Sequence, residues 1–140
     1  MAAKLAFIVV ALMLTATGLS AANLPNLVGT WTGSTEGYEK GTGYMNVNET
    51  GAFTMIISEQ RGRLFTGTLS TNFSLNHTDL GLGTEGFSGI IGLDNRTIYM
   101  AEYDKGYDIG TITSNDTIEL AYLEDGERAG AFIDRFHRVN

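Results

Sequence analysis

Along most of the chain, apolar and polar residues alternate with a period of two, as in strands whose two faces meet different surroundings. The alternating runs are Leu27–Ser34, Thr42–Glu49, Ala52–Gln60, Arg63–Ser70, Glu85–Leu93, Arg96–Tyr103, Tyr107–Thr113, Thr117–Glu124 and Ala131–Val139. Between them stand compact turn signals such as Arg61-Gly62, Asp94-Asn95, Asp104-Lys105-Gly106, Asn115-Asp116 and Asp125-Gly126. Asn, Asp and Gly tolerate the positive φ that tight hairpins demand. Helical periodicity is weak throughout. Only the last run, entered through Ala129-Gly130-Ala131, is also compatible with a short helix; its alternation favours a strand. Short connections make sequential strands pair antiparallel, and closing the sheet removes its exposed edges. The pattern therefore predicts an all-β domain: a single antiparallel up-and-down β-barrel of about eight strands.

The connection Thr71–Thr84 is longer than the others and places a candidate lid, or a plain solvated loop, at one barrel mouth. Inside, the alternation puts Phe65, Gly67 and Leu69 on one face of their run. It puts Ile98, Met100 and Glu102 together, and Ile118, Leu120, Tyr122 and Glu124 together. Such faces mix apolar groups with phenols and carboxylates. That suits a lining for a small ligand as well as tyrosines that straddle core and rim. Tyr44, Phe65, Tyr99, Glu102 and Tyr122 are the candidate ligand-lining residues. Tyr99 and Glu102 are three apart and should face opposite ways unless a bulge intervenes. An inward Glu102 would have a raised pKa and would call for a cationic or hydrogen-bond-donating ligand.

The first 22 residues read differently. A positively charged start through Lys4 leads into the apolar run Leu5–Leu14 and then small residues up to Ser20-Ala21-Ala22, the anatomy of a cleavable secretory signal. The alternative is a retained anchor. Residues 1–22 are thus assigned as signal peptide and 23–140 as the barrel domain, secreted or exposed on the cell envelope, with no membrane span once the signal is removed. Cysteine is absent, which excludes disulfides, thiol catalysis and Cys-based metal sites. Sixteen Asp and Glu against nine Lys and Arg, with no basic run, argue against nucleic acid and anionic membrane surfaces as partners. An oligomer stays open.

Gly29-Thr30-Trp31-Thr32-Gly33 and Leu64-Phe65-Thr66-Gly67-Thr68 resemble the first-strand Gly-Thr-Trp and a later Thr-Gly-Thr strand of avidin and streptavidin. Phe136-His137-Arg138-Val139 resembles the ending of those and other calycins, the lipocalins included. The resemblance implies an eight-stranded ligand-holding barrel. It also implies that Gly29 and Trp31 close one end, with Arg135 or Arg138 covering the indole. It does not extend to biotin: Gly33 stands where that family has a ureido-binding Asn, Leu69 stands where it has a tyrosine, and Trp31 is the single tryptophan. The chain is also similar to small uncharacterised secreted proteins of methanogenic archaea, which implies an address but no mechanism.

Five Asn-x-Ser/Thr sequons, at Asn48, Asn72, Asn76, Asn95 and Asn115, fall at turns or in the long connection. They are candidate glycosylation sites; the alternative is turn chemistry, in which Asn opens a turn and Thr opens a strand. Catalysis has little support, because no nucleophile is placed beside His77 or His137 and no spacing suggests zinc or calcium. The reading is a non-catalytic carrier of an unknown small molecule, without cofactor or metal. The alternatives are a filled structural or adhesive envelope module and an inhibitor of extracellular enzymes.

Overall fold

A computed structural model of the protein describes residues 23–48, 52–71 and 83–139. All of their regular structure is strand. The signal-peptide segment 1–22 lies outside the described residues, as do most of the candidate lid, with Asn72, Asn76 and His77, and the sequon residues Glu49 and Thr50 that follow Asn48.

The strands are β1 (Gly29–Glu39), β2 (Gly43–Val47), β3 (Phe53–Arg61), β4 (Leu64–Thr71), β5 (Gly83–Ile91), β6 (Thr97–Glu102), β7 (Tyr107–Ser114), β8 (Thr117–Glu124) and β9 (Gly130–Arg138). Each pairs antiparallel with its neighbour, and β9 returns to β1 to close the wall. β1 extends past Ser34 as far as Glu39. Its first half pairs with β3 and its second half with β2, so β2 and β3 share one position and the wall has eight. The structure settles the last run as a strand, because β9 is hydrogen-bonded on both sides.

Glycines opposite large side chains fill the narrow interior. Phe65 faces Gly89 and Phe87 faces Gly67 across the β4–β5 ladder, and Phe136 faces Gly33 across β9–β1. A Cβ at Gly89 would run into the Phe65 ring, and one at Gly67 would meet the Ile56 carbonyl. Small opposite large is how a tapered barrel is packed. Gly89→Ala is therefore expected to destabilise by about 1–3 kcal/mol through overpacking; an unchanged urea midpoint would show that the ring is not seated there.

The interior is polarised along the barrel axis. One half is apolar and closed: Trp31, Ile57, Phe87, Ile91, Ile98, Ile118 and Phe136 are all almost completely buried. The stretch before β1 seals this end, with Leu27 buried beneath Trp31 and the indole Nε1 donating to the Leu27 carbonyl at 3.0 Å. A register shift between Ile57 and Glu59 turns Gln60 toward this segment. Gln60 Oε1 accepts from the Leu27 amide at 2.7 Å, and its Nε2 donates to the Pro25 carbonyl at 2.9 Å.

Arg138 finishes the base. Its guanidinium carbon lies 4.2 Å from the Trp31 ring centroid, and it donates to the carbonyls of Val28 at 2.8 Å and Asn26 at 2.7 Å. Gly29 makes room for it: φ is +146°, and a Cβ there would sit 2.9 Å from Arg138 Nη1. Arg135 does not cover the indole, which corrects the expectation for that residue. It lies one step off the inward parity and pairs on the outer wall with Glu36 at 2.6 Å and Glu119 at 3.0 Å.

Candidate functional site

The opposite half of the barrel is hollow. A cavity of about 310 Å³ opens at the mouth, where β1 meets β2, β6 meets β7 and β8 meets β9. Its walls include apolar surface from Met45, Phe53, Leu69 and Phe132. The ends of the long connection, Thr71, Gly83 and Thr84, stand at its edge.

Carboxylates supply the polar lining. β1 brings Glu39, β5 brings Glu85, β6 brings Glu102, β8 brings Glu124 and β9 brings Asp134. Asp108 of β7, 2% exposed, lies close enough to act electrostatically on Glu102. Two of these acids have cations. Glu39 is bound by Arg128, with Nε at 2.6 Å, and accepts from the Thr42 hydroxyl at 2.6 Å. Glu124 accepts from the Tyr122 hydroxyl at 3.0 Å and lies 3.6 Å from Lys105 Nζ at the rim.

Glu85, Glu102, Asp108 and Asp134 form no salt bridge among the described residues. The Glu85 carboxyl stands close enough to Glu102 to act on it both as a hydrogen-bonding neighbour and as a charge. Burial first, then the Asp108 and Glu85 carboxylates, push Glu102 far above the usual carboxylate range. Burial, with Asp134 and Glu85 adding repulsion, pushes Asp108 up to about 8. Burial raises Asp134 to about 6, against the Thr35 hydrogen bond that lowers it. Tyr122 is raised as well, by burial and then by Glu102. Asp108 Oδ2 and Asp134 Oδ1 are buried with no hydrogen-bond partner. Such orphaned atoms are rare in folded proteins and cost stability. The arrangement can hold protons at neutral pH and can exchange them for a cation.

Of the residues singled out from sequence, Glu102 and Tyr122 line this cavity. The ring of Tyr122 packs over Gly106, whose φ of +88° and missing Cβ both suit that approach. Three others do not line it. Tyr44 has the outward parity of β2, is 55% exposed, packs at a tilt against Tyr38 with centroids 5.3 Å apart and donates to Glu36. Tyr99 points outward from β6, opposite in parity to Glu102. Phe65 belongs to the packed interior against Phe87, with ring centroids 6.2 Å apart. Tyr99, Leu64, Ile90, Tyr107 and Ile109 form an apolar stripe on the outer wall of β4 to β7.

Glu39, Glu85, Asp108 and Asp134 escaped the sequence reading. Parity could have found two of them: Asp134 is two before Phe136, and Asp108 is two before Gly110 and four before Ile112. Glu39 was hidden because the alternation of β1 weakens after Ser34. Of the sequons, Asn48 and Asn115 are exposed, and Asn95 takes φ +57° in the β5–β6 turn, the left-handed conformation Asn tolerates. His137 is exposed on β9, away from the cavity. Among the described residues, no group of three or more His, Cys, Asp or Glu is arranged to hold a metal ion.

No protein-family model and no curated protein matches the chain. Its fold does match a solved structure, described as a redesigned β-barrel, with a TM-score of 0.54 and 11% identity over 84% of this chain and 92% of the other. At that identity the likeness is one of fold, and the fold it supports is the closed antiparallel barrel.

Proposed function

We propose that the protein is a non-catalytic carrier or binder of a small molecule, working outside the cell as a calycin-type barrel, with its site in the mouth cavity. One observation carries this reading: the interior is packed solid at the Trp31 end and left open at the other, where its polar side chains converge. A barrel built only as a scaffold gains nothing from burying orphaned carboxylates around a void, whereas ligand sites are concave, partly apolar and furnished with a few polar groups. Secretion and sugar attachment at Asn48, Asn72, Asn76, Asn95 and Asn115 rest on the sequence signals alone. The apolar outer stripe favours a second reading, an envelope module that adheres through its wall.

The test is a titration of the 15N-labelled protein with neutral, cationic and anionic fragments. Amide shifts should cluster at Glu85, Glu102, Tyr122 and Asp134. Shifts confined to Leu64, Ile90 and Tyr99, or none at millimolar concentration, would overturn the cavity as the site.

A further inference from the structure

We propose that the mouth cavity takes a compact aliphatic amine: its ammonium group would sit among Glu102, Glu85 and Asp134, and its hydrocarbon body would lie on Leu69 and Phe53. The inference rests on the cavity being the ligand site and adds the chemical class of the ligand.

Three independent features select that class. The first is the charge balance. Glu102 of β6 is faced by Glu85 from β5, Asp108 from β7, Tyr122 and Glu124 from β8, and Asp134 from β9. The cations at this end, Arg128 and Lys105, are engaged with Glu39 and Glu124. Among the described residues the inner carboxyls therefore lack a positive partner of their own, and a negative ligand would add to an existing repulsion.

The second is the orphaned acceptor. Asp134 is 5% exposed and lines the cavity, and its Oδ1 has no donor. Buried acceptors of this kind are satisfied when a ligand brings the missing N–H. An ammonium group carries three such donors, enough to reach several carboxyls at once.

The third is shape. The described residues offer no metal-binding cluster, and a void of about 310 Å³ exceeds what a bare ion fills. Leu69, Phe53 and Phe132 supply apolar wall for a carbon chain. A long-stemmed cation keeps its alkyl part on such a wall and its charged head on the acids.

Exchange of charge follows from the same arrangement. The amine enters as a cation, the Glu102 carboxyl loses its proton to solvent, and the resulting carboxylate pairs with the ammonium. Binding should therefore release protons near neutral pH and weaken as the solution is acidified.

The experiment uses butylammonium and 1,4-diaminobutane as probes, with butan-1-ol and butyrate as neutral and anionic counterparts. Affinity and proton release are read by calorimetry at pH 7.5 in two buffers of different ionisation enthalpy. The expected result is amine binding with release of up to about one proton per site, at least tenfold weaker and without proton release in Glu102→Gln. Glu59→Gln, an outer-wall change of the same charge, should leave binding unaltered. Glu102→Gln removes an acid whose charged form is disfavoured by burial, so it should fold and melt no lower than the parent; that separates lost binding from lost structure.

Binding of butan-1-ol at Glu102 and Tyr122 without amine binding would overturn the ligand class and leave the cavity reading standing. Amine binding equally weakened by Glu59→Gln, or unaffected by Glu102→Gln, would mark diffuse attraction to an acidic surface and overturn the proposal. No binding by any of the four probes, with no shift from any other fragment, would remove both.

Discussion

Replacing Trp31 with alanine is expected to cost the barrel about 3–5 kcal/mol, the range for truncating a large buried aromatic side chain. The indole is fully buried, holds the Leu27 carbonyl and carries the Arg138 guanidinium on its face. Its loss would leave a void under the N-terminal segment and an Arg138 with nothing to cover. Phenylalanine should recover part of the stability, because it restores a ring beneath the guanidinium while losing the N–H donor. Urea denaturation of both variants gives the comparison. If the alanine variant unfolds at the parental midpoint, the packed end does not hold the barrel together.

The protein should also melt at a higher temperature at pH 5 than at pH 8.5. Asp134 and Asp108 have folded-state values raised from 3.8 to about 6 and about 8, each with burial as the first cause. A raised value means that the folded chain holds the proton more tightly. The contribution is fully present below the unfolded value near 4 and is lost as pH rises through 6 and then 8. For Asp134 alone the whole loss is about 3 kcal/mol, of which about 1.4 kcal/mol falls between pH 5 and pH 8.5, a change of roughly 5 °C for a domain of this size.

Two exposed acids work in the opposite sense. Asp94 is lowered to about 2 by hydrogen bonds from the Thr97 hydroxyl and the amides of Thr97 and Arg96, and Glu36 is lowered by Arg135 and Tyr44. Their contribution is lost only as pH falls below about 4, so the stability maximum should lie in the weakly acidic range. Scanning calorimetry across pH 3–9 checks it. A melting temperature that climbs steadily to pH 8.5 would mean that the inner carboxyls are not desolvated. Asp134→Asn should flatten the alkaline fall.

The architecture was legible in the sequence because period-two alternation and hairpin chemistry act locally. Asn95 and Gly106 sit in turns with positive φ, and the strands begin and end close to those signals. The lining was only half legible. Parity places Glu102 and Tyr122 on the faces of Met100 and Leu120, but it does not say which of two mixed faces looks inward. For β2, whose five residues GYMNV carry one aromatic and two aliphatic side chains, the phenol looked like the better lining group. The ladder with β1 turns Met45 and Val47 inward and Tyr44 out. Convergence was harder still. Glu39, Glu85, Glu102 and Asp134 are dispersed along the sequence and meet only because the barrel closes, so no local spacing could signal the cluster.

Both described chain ends lie at the packed base. Leu24 rests on the core there, and Val139 donates its amide to the Thr30 carbonyl at 2.8 Å. The acidic cavity opens at the other extreme of the axis. Immobilising the protein through either of these described ends, at Asn23 or Val139, on a sensor chip or as a fusion on a cell surface, would therefore direct the open mouth away from the support. No loop would need rebuilding.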